Sequence, residues 1–202
     1  MKCKRYSLCE LVTIKYGKNQ KKVLSADGTI PIYGTGGLMG YATEALYTQP
    51  SVLIGRKGTI GKVKYVDHPF WTVDTLFYTV VNSDIVIPKY LYYVMSQIDL
   101  NTYNEGTTIP SLRTETLNRL EFDIPSIEEQ KEILSYLEPI DEKIELNSAI
   151  NNNLAAYRLM SETSSSPDIN LGKRVSRRFD NRLFSKRLFT ICSTIGVVIS
   201  SN

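Results

Sequence analysis

The chain has 202 residues. This length is enough for one domain with an appendage, and two full domains are less expected. Apolar residues make up 42% and charged residues 22%, which excludes a chain that is disordered throughout. The net charge of +3 is the sum of three unlike blocks. Residues 1–66 carry eleven Lys and Arg against three acids, residues 67–160 carry six against fifteen, and residues 161–202 carry seven against three.

Cysteine and histidine usage argues against a disulfide framework and a zinc site. The three cysteines form no CxxC pair, and His68 is the only histidine. The first residues lack the apolar core of a signal peptide, and the longest apolar run, residues 188–199, is too short to span a membrane. We therefore expect a cytoplasmic protein with reduced thiols and no membrane contact.

The first half of the chain has the pattern of short strands separated by turns. Residues 51–54, 62–66 and 75–81 are rich in Val, Ile, Leu, Tyr and Thr and are bounded by turn residues, which predicts strands. A turn is predicted at residues 26–29, ahead of an apolar run at 30–33. A helix is predicted to begin at Pro88, followed by a polar loop at 101–108, a helical turn within 111–118 and a last strand at 119–124.

A long helix is predicted after Pro125. Ser126 and Glu129 have the spacing of a capping box. The helix then carries a stripe at coiled-coil spacing, interrupted by two Asn: Ile133, Leu137, Ile140, Ile144, Asn147, Asn151 and Leu154. Pro139 predicts a kink or a split. The stripe fits either an ordinary amphipathic core helix or a projecting arm, and its extension past residue 150 favours the arm.

The motifs of common enzymes are absent from this sequence. The glycines of residues 34–39 end in Met where a dinucleotide fingerprint needs its third Gly, and Val63 replaces the Ser or Thr of a phosphate-binding loop. No proline follows another, as an amino-methyltransferase motif would require. His68 is better explained as a turn residue than as a catalytic base. We therefore expect no catalytic residue, no metal site and no enzymatic activity in this chain alone.

Two segments combine lysines with glycines and lack acids. Residues 11–26 carry four Lys, and residues 45–66 carry three glycines together with Arg56, Lys57, Lys62 and Lys64. Cations and hydroxyls on loops that let the backbone approach closely are suited to phosphate and base-edge contacts. A solvated turn explains such a hairpin equally well.

Six segments, taken in order along the chain, are similar to the motifs of a known protein family. The set comprises IPIYGTGG (30–37), VLIGRKGTIGK (52–62), WTVDT (71–75), GTTIPSLR (106–113), IPSIEEQKEI (124–133) and, after Leu137, IDEKI (140–144). Together they resemble the target-recognition domain of type I restriction–modification specificity subunits and the start of the long conserved helix in that family. The resemblance covers roughly residues 6–160.

The resemblance implies an α/β (α+β) fold, in which a globular mixed-sheet recognition domain is followed by a long C-terminal coiled-coil helix. It implies a non-catalytic subunit that recognises half of a bipartite site in double-stranded DNA. The helices of such subunits act as spacers and hold modification subunits, which methylate adenine with S-adenosylmethionine, and restriction subunits complete the assembly. The chain itself is expected to bind no cofactor.

The division expected from the resemblance is a DNA target-recognition domain at 1–125, a spacer helix at 126–160 and a basic, Ser-rich tail at 161–202. The residues expected to contact DNA lie on three loops: Tyr33, Thr35, Lys57, Thr59, Lys62, Thr107, Thr108 and Arg113. Arg113 could recognise a guanine edge or could pair with Glu115 or another nearby carboxylate. The stripe residues of the helix, from Ile133 to Leu154, are expected to pack helices together.

The length bears on the oligomeric state, because a full specificity subunit has two recognition domains and two spacer helices. We expect either a natural half-subunit or the product of a truncated gene. A half-subunit would form a homodimer through antiparallel helices and recognise an inverted-repeat site. Two other hypotheses remain open: a coiled-coil protein-interaction module without specific DNA binding, and a stand-alone nuclease or methyltransferase.

Overall fold

The computed structural model describes residues 2–163, with side chains described as far as Leu154. The predicted mixed α+β fold with a long C-terminal helix is confirmed. The elements in chain order are β1 (Lys4–Ser7), α1 (Leu8–Leu11), β2 (Val12–Tyr16), β3 (Ile30–Gly34), β4 (Gly37–Ala42), β5 (Ser51–Gly55), β6 (Val63–Val66), β7 (Trp71–Thr72), β8 (Leu76–Val81), α2 (Pro88–Ser96), a 3-10 helix (Leu100–Tyr103), α3 (Thr114–Asn118), β9 (Glu121–Ile124) and α4 (Ile127–Thr163).

Within these residues the strands form three small sheets. The largest has the order β2-β8-β5-β6 and is antiparallel throughout. In the second, β3 pairs with β4 as a hairpin and with β7 in parallel, and the third is the antiparallel pair β1-β9. The strands predicted at 51–54, 62–66, 75–81 and 119–124 are confirmed as β5, β6, β8 and β9, each within two residues at its ends.

The main apolar core lies between the large sheet and the helices. Helix α2 begins at Pro88 as predicted, and it packs against β5 and β6. Leu91 and Met95, four residues apart on one face of α2, are fully buried. The same core includes Leu117 of α3 and the first buried residues of α4. One core therefore joins the sheet to the base of the long helix.

The pairing of β1 with β9 brings the two ends of the globular part together. Arg5 donates two hydrogen bonds to the Asp123 carboxylate, from Nε at 3.0 Å and from Nη2 at 3.1 Å. A forked Arg–carboxylate contact adds geometric definition to the strand register. This pairing, across more than a hundred positions of sequence, fixes the strand that leads directly into α4.

The predicted capping box opens α4. The Glu129 N–H donates to Ser126 Oγ at 3.3 Å, and the Ser126 N–H donates to the Glu129 carboxylate at 3.1 Å. The next residue, Gln130, is fully buried. Its Nε2 donates to the carbonyls of Ile85 (2.9 Å) and Pro125 (3.0 Å), and its Oε1 accepts from the Ile87 N–H (2.8 Å). One amide thus links α4 to the segment that precedes α2.

The apolar stripe of α4 changes its surroundings along the helix. Ile133 and Leu137 are 8% and 7% exposed in the domain core, whereas Ile140 and Ile144 are 37% and 39% exposed and Leu154 is 60% exposed. Asn147 and Asn151 are also exposed. The helix continues through Pro139, so it is not split there. The stripe is a core face at its start and an uncovered face beyond.

No helix in residues 2–163 is long and apolar enough to cross a membrane. The basic tail predicted at 161–202 lies almost wholly outside the residues that the structure describes.

Replacing Gln130 with Ala should lower the free energy of unfolding by roughly 2–4 kcal/mol, because it strips partners from buried backbone groups. Urea denaturation followed by circular dichroism measures the change. The matched control is Lys131→Ala, an exposed neighbour on α4 that should shift stability by no more than about 0.5 kcal/mol. Equal stability of the two variants would contradict the role given to Gln130.

Candidate nucleic-acid interface

Several loops meet at the start of β8, in a segment we call the β8 junction (residues 72–76). The N–H groups of Gly17 and Lys18 donate to the carbonyls of Leu76 and Thr72 at 3.0 and 2.8 Å. The junction also holds the segment after β5, since the Arg56 N–H donates to the Thr75 carbonyl at 2.9 Å. Strands β2 and β5 are both antiparallel to β8, so their carboxyl ends meet there. The segment after β2, the segment after β5 and the segment before β8 therefore lie together at one edge of the sheet.

Two of the three loops predicted to contact DNA lie side by side at this edge. We call them the Gly-rich loop (residues 56–62) and the Thr-rich loop (residues 104–113). The Gly58 N–H donates to the Pro110 carbonyl, and the Leu112 N–H donates to the Arg56 carbonyl, both at 2.9 Å. Lys57 forms a β-bridge with Ser111. Residues some fifty positions apart in sequence thus form one surface. Its exposed predicted residues are Lys57, Thr59, Lys62, Thr107, Thr108 and Arg113.

Two glycines shape the Gly-rich loop. Gly58 has a φ of +84°, in the left-handed region that side chains rarely adopt. A Cβ on Gly55, at the end of β5, would lie 2.1 Å from the Thr59 carbonyl oxygen. The loop can therefore fold back tightly on β5 while Lys57 and Thr59 stay in solvent.

Arg56 adds a cation to this surface that was not among the predicted contacts. Its guanidinium lies 5.0 Å from the ring centroid of Tyr16, and its Nη1 donates to the Asp74 carbonyl at 2.9 Å. The Tyr16 side chain is 51% exposed. The sequence showed Arg56 in a basic segment but carried no signal that Tyr16, forty positions earlier, would support it.

Tyr33 is placed differently from the other predicted contacts. It is only 7% exposed, and its hydroxyl shares a hydrogen bond of 3.0 Å with His68 Nε2. The Lys64 ammonium lies 3.9 Å above the Tyr33 ring centroid. Partial burial raises the pKa of the Tyr33 phenol and lowers the pKa of Lys64. A contact of Tyr33 with DNA stays a prediction. The structure adds that the Tyr33 ring packs under the Lys64 ammonium.

Two further predicted residues are held in defined positions. Arg113 Nε lies 3.0 Å from the Glu105 carboxylate, so the carboxylate partner considered at the sequence level is Glu105 and not Glu115. The same carboxylate accepts a hydrogen bond from Thr116. Thr35 occupies the turn between β3 and β4, and the strand before this turn is held to the β8 junction by the Val73 N–H, which donates to the Tyr33 carbonyl at 3.1 Å. Among the residues described, no cluster of three His, Cys, Asp or Glu could hold a metal ion.

The chain belongs to the family of type I restriction modification DNA specificity domains, whose model matches residues 2–156. The resemblance drawn from the ordered motifs is confirmed. This chain is 30% identical over 103 residues to the type I restriction enzyme HindI specificity subunit of Haemophilus influenzae. The match covers 46% of this chain and 22% of the relative. The chain is also 30% identical over 118 residues to the MjaIX specificity subunit of Methanocaldococcus jannaschii, covering 56% of this chain and 27% of that protein.

Solved structures share the fold. The type I restriction-modification S subunit from M. genitalium superposes with a TM-score of 0.64 and 22% identity, over 76% of this chain and 43% of that chain. The HsdS subunit from Thermoanaerobacter tengcongensis gives a TM-score of 0.55 and 15% identity, over 72% of this chain and 39% of that chain. The chain therefore spans less than half the length of the proteins it matches.

Replacing Gly58 with Ala should lower the free energy of unfolding by about 1 kcal/mol, because a Cβ is strained in the left-handed backbone that Gly58 adopts within the Gly-rich loop. The control is Gly36→Ala, in the β3–β4 turn, where an added Cβ meets nothing within 4 Å and no left-handed φ is required. Denaturant unfolding of both variants measures the difference. A G58A variant as stable as G36A would contradict the strain.

Proposed function

We propose that this chain is a non-catalytic DNA-specificity subunit of a type I restriction–modification system. In this proposal it recognises half of a bipartite site in double-stranded DNA and docks the modification subunits, which bind S-adenosylmethionine. The observation that carries the proposal is the joining of the Gly-rich and Thr-rich loops into one exposed surface, in a chain that belongs to the specificity-domain family.

The chemistry of this surface suits a nucleic acid. Lys57, Lys62 and Arg56 supply cations for phosphates, which provide most of the sequence-independent affinity for DNA. Thr59, Thr107 and Thr108 supply hydroxyls that can donate to or accept from base edges. Arg113 is paired with Glu105, so its guanidinium is held in a defined orientation while its side chain stays 69% exposed. Such an Arg can present two parallel donors to the O6 and N7 of a guanine.

Changing Lys57 or Lys62 to Ala should weaken DNA binding similarly on all sequences and reduce the slope of log affinity against log salt by about one each. Fluorescence anisotropy at several salt concentrations measures the slope. The matched control is Lys143→Ala, which removes an exposed cation from α4. An unchanged slope in K57A or K62A would remove that residue from the interface.

Replacing Arg113 with Ala should relax base choice at one position of the site, at a cost of about 1–3 kcal/mol for the preferred sequence. Selection from a randomised duplex library identifies the position. The control is Arg119→Ala, an exposed Arg just beyond α3. A uniform loss of affinity without relaxed base choice would assign Arg113 to phosphate contact instead.

The uncovered face of α4 supports the second half of the proposal, an assembly through helices. Past Pro139 the helix exposes five large apolar side chains: Ile140, Ile144, Leu146, Ile150 and Leu154. Exposed apolar stripes of this kind mark interaction surfaces. We infer that two copies pair these helices antiparallel, with Asn147 and Asn151 fixing the register. A two-fold pair would present two recognition surfaces to an inverted-repeat site, together with modification and restriction subunits.

The pairing is tested by light scattering of the full chain, alone and with the modification subunit. We expect a dimer, and the double variant Ile150→Lys, Leu154→Lys should dissociate it by placing charges on the seam. Asn152→Lys with Asn153→Lys adds the same charge at exposed positions beside the stripe and should leave the dimer intact. A strict monomer at high concentration in both settings would overturn the pairing.

The uncovered helix also favours a second candidate, a coiled-coil interaction module without specific DNA binding. Mobility shifts with random-sequence duplex, with and without a methyltransferase partner, separate the two candidates. Co-expression with a modification subunit followed by methylome sequencing tests the main proposal directly. Methylated adenines within an inverted, bipartite sequence are expected, and unmodified DNA would count against it.

A further inference from the structure

The long helix leaves the globular domain at Pro139. Leu137 is the last buried residue of α4 among those with described side chains, and every residue from Glu142 to Leu154 is exposed. We call residues 142–163 the arm. Pro139 has no N–H and so cannot donate to the Ser135 carbonyl, and helices bend most readily where a hydrogen bond is missing. The direction of the arm is therefore decided around this residue.

Helix α2 holds α4 on both sides of Pro139. The Lys89 ammonium lies 3.6 Å from the Glu138 carboxylate, and the Tyr93 hydroxyl donates a hydrogen bond to the Asp141 carboxylate. Lys89 and Tyr93 are four residues apart, so they lie on one face of α2. Hydrogen bonds to a carboxylate are among the stronger ones in proteins. We call this pair of contacts the clasp.

The clasp is anchored in the globular domain. Tyr93 is only 7% exposed, and burial together with the Asp141 carboxylate raises the pKa of its phenol. Its ring lies 5.4 Å from Tyr92, and Tyr92 lies 6.2 Å from Tyr65 on β6. Tyr65 directly follows Lys64, which stacks on Tyr33. A row of tyrosines thus connects the edge strand of the large sheet to the base of the arm.

The geometry of the arm amplifies small changes at its base. The arm comprises 22 residues of one helix. At about 1.5 Å per residue it is roughly 33 Å long. A change of about 10° in its direction moves its far end by about 6 Å, whereas one base-pair step of DNA is about 3.4 Å. The angle held at the base thus decides where a partner domain would meet DNA.

We propose that Tyr93 and Asp141 are positioning residues that set the number of base pairs between the two halves of the DNA site. They act by fixing the direction of the arm, and they touch no DNA. This inference rests on the proposed function, in particular on DNA recognition by a pair of chains. It assigns the spacing of the site to a contact between α2 and α4 as well as to the helix.

The test compares the full-length wild type with Tyr93→Phe, which removes only the hydroxyl that donates to Asp141. The matched control is Tyr136→Phe, a 62% exposed tyrosine on α4, the helix that carries Asp141. Asp141→Asn keeps a carbonyl oxygen that accepts from Tyr93 and should behave closer to wild type than Y93F. Each protein, with its modification subunit, selects duplexes from a library in which the number of base pairs between fixed half-sites varies.

The expected result is that Y93F accepts spacings one or more base pairs longer or shorter than the single spacing preferred by wild type and Y136F. The half-site sequence and the salt slope should not change, whereas a merely destabilised domain would lose affinity at every spacing. An unchanged, narrow spacing preference in Y93F would overturn the inference and leave the proposed function standing. Failure of the wild type to bind any half-site would overturn the proposed function, and the spacing role with it.

A second measurement reports the arm directly and needs no DNA. Spin labels at the exposed Cys9 and at an Asn153→Cys substitution give the distance between head and arm, with Cys3 and Cys192 changed to Ser and labelled chains diluted in unlabelled ones. Y93F should broaden or shift this distance distribution, and Y136F should not. Identical distributions in Y93F and wild type would overturn the clasp.

Discussion

The buried side chain of Gln130 is the contact on which the arrangement of the molecule depends. Its amide satisfies two carbonyls and one N–H, which belong to the loop before α2 and to Pro125, the residue that follows β9. A buried backbone group without a partner costs far more than a normal hydrogen bond contributes, so the three segments are held together. Because α2 packs on β5 and β6, the same amide ties the long helix to the sheet that carries the Gly-rich loop.

The β8 junction holds the loops of the candidate interface in place, just as Gln130 holds the long helix against the domain. Antiparallel pairing brings the ends of β2 and β5 to the start of β8, and backbone hydrogen bonds then hold the Gly-rich loop against the Thr-rich loop. The exposed cations and hydroxyls are therefore mounted on loops whose backbone is fixed at both ends. Side chains on such loops are well placed for recognition, because their orientation is set before a ligand arrives.

The charge blocks of the sequence correspond to this architecture only in part. The basic block, residues 1–66, lies in β1 to β6 and the loops between them, and nine of the fifteen acids of residues 67–160 follow residue 120, on β9 and α4. Arg113, however, comes from the acidic block and still lies at the candidate interface, beside Glu105. Folding mixes segments, so a charge count along the chain locates an interface only roughly.

The sequence by itself determined the local features: the strands β5, β6, β8 and β9, the start of α2 at Pro88, the capping box of α4 and, through its ordered motifs, the family. These depend on neighbouring residues, so periodicity and turn chemistry reveal them. Tertiary structure alone decided the pairing of β1 with β9, the burial of Tyr33, the partner of Arg113 and the point where the α4 stripe leaves the core. Each depends on contacts between residues distant in sequence, and an apolar stripe shows which face is apolar without showing what covers it.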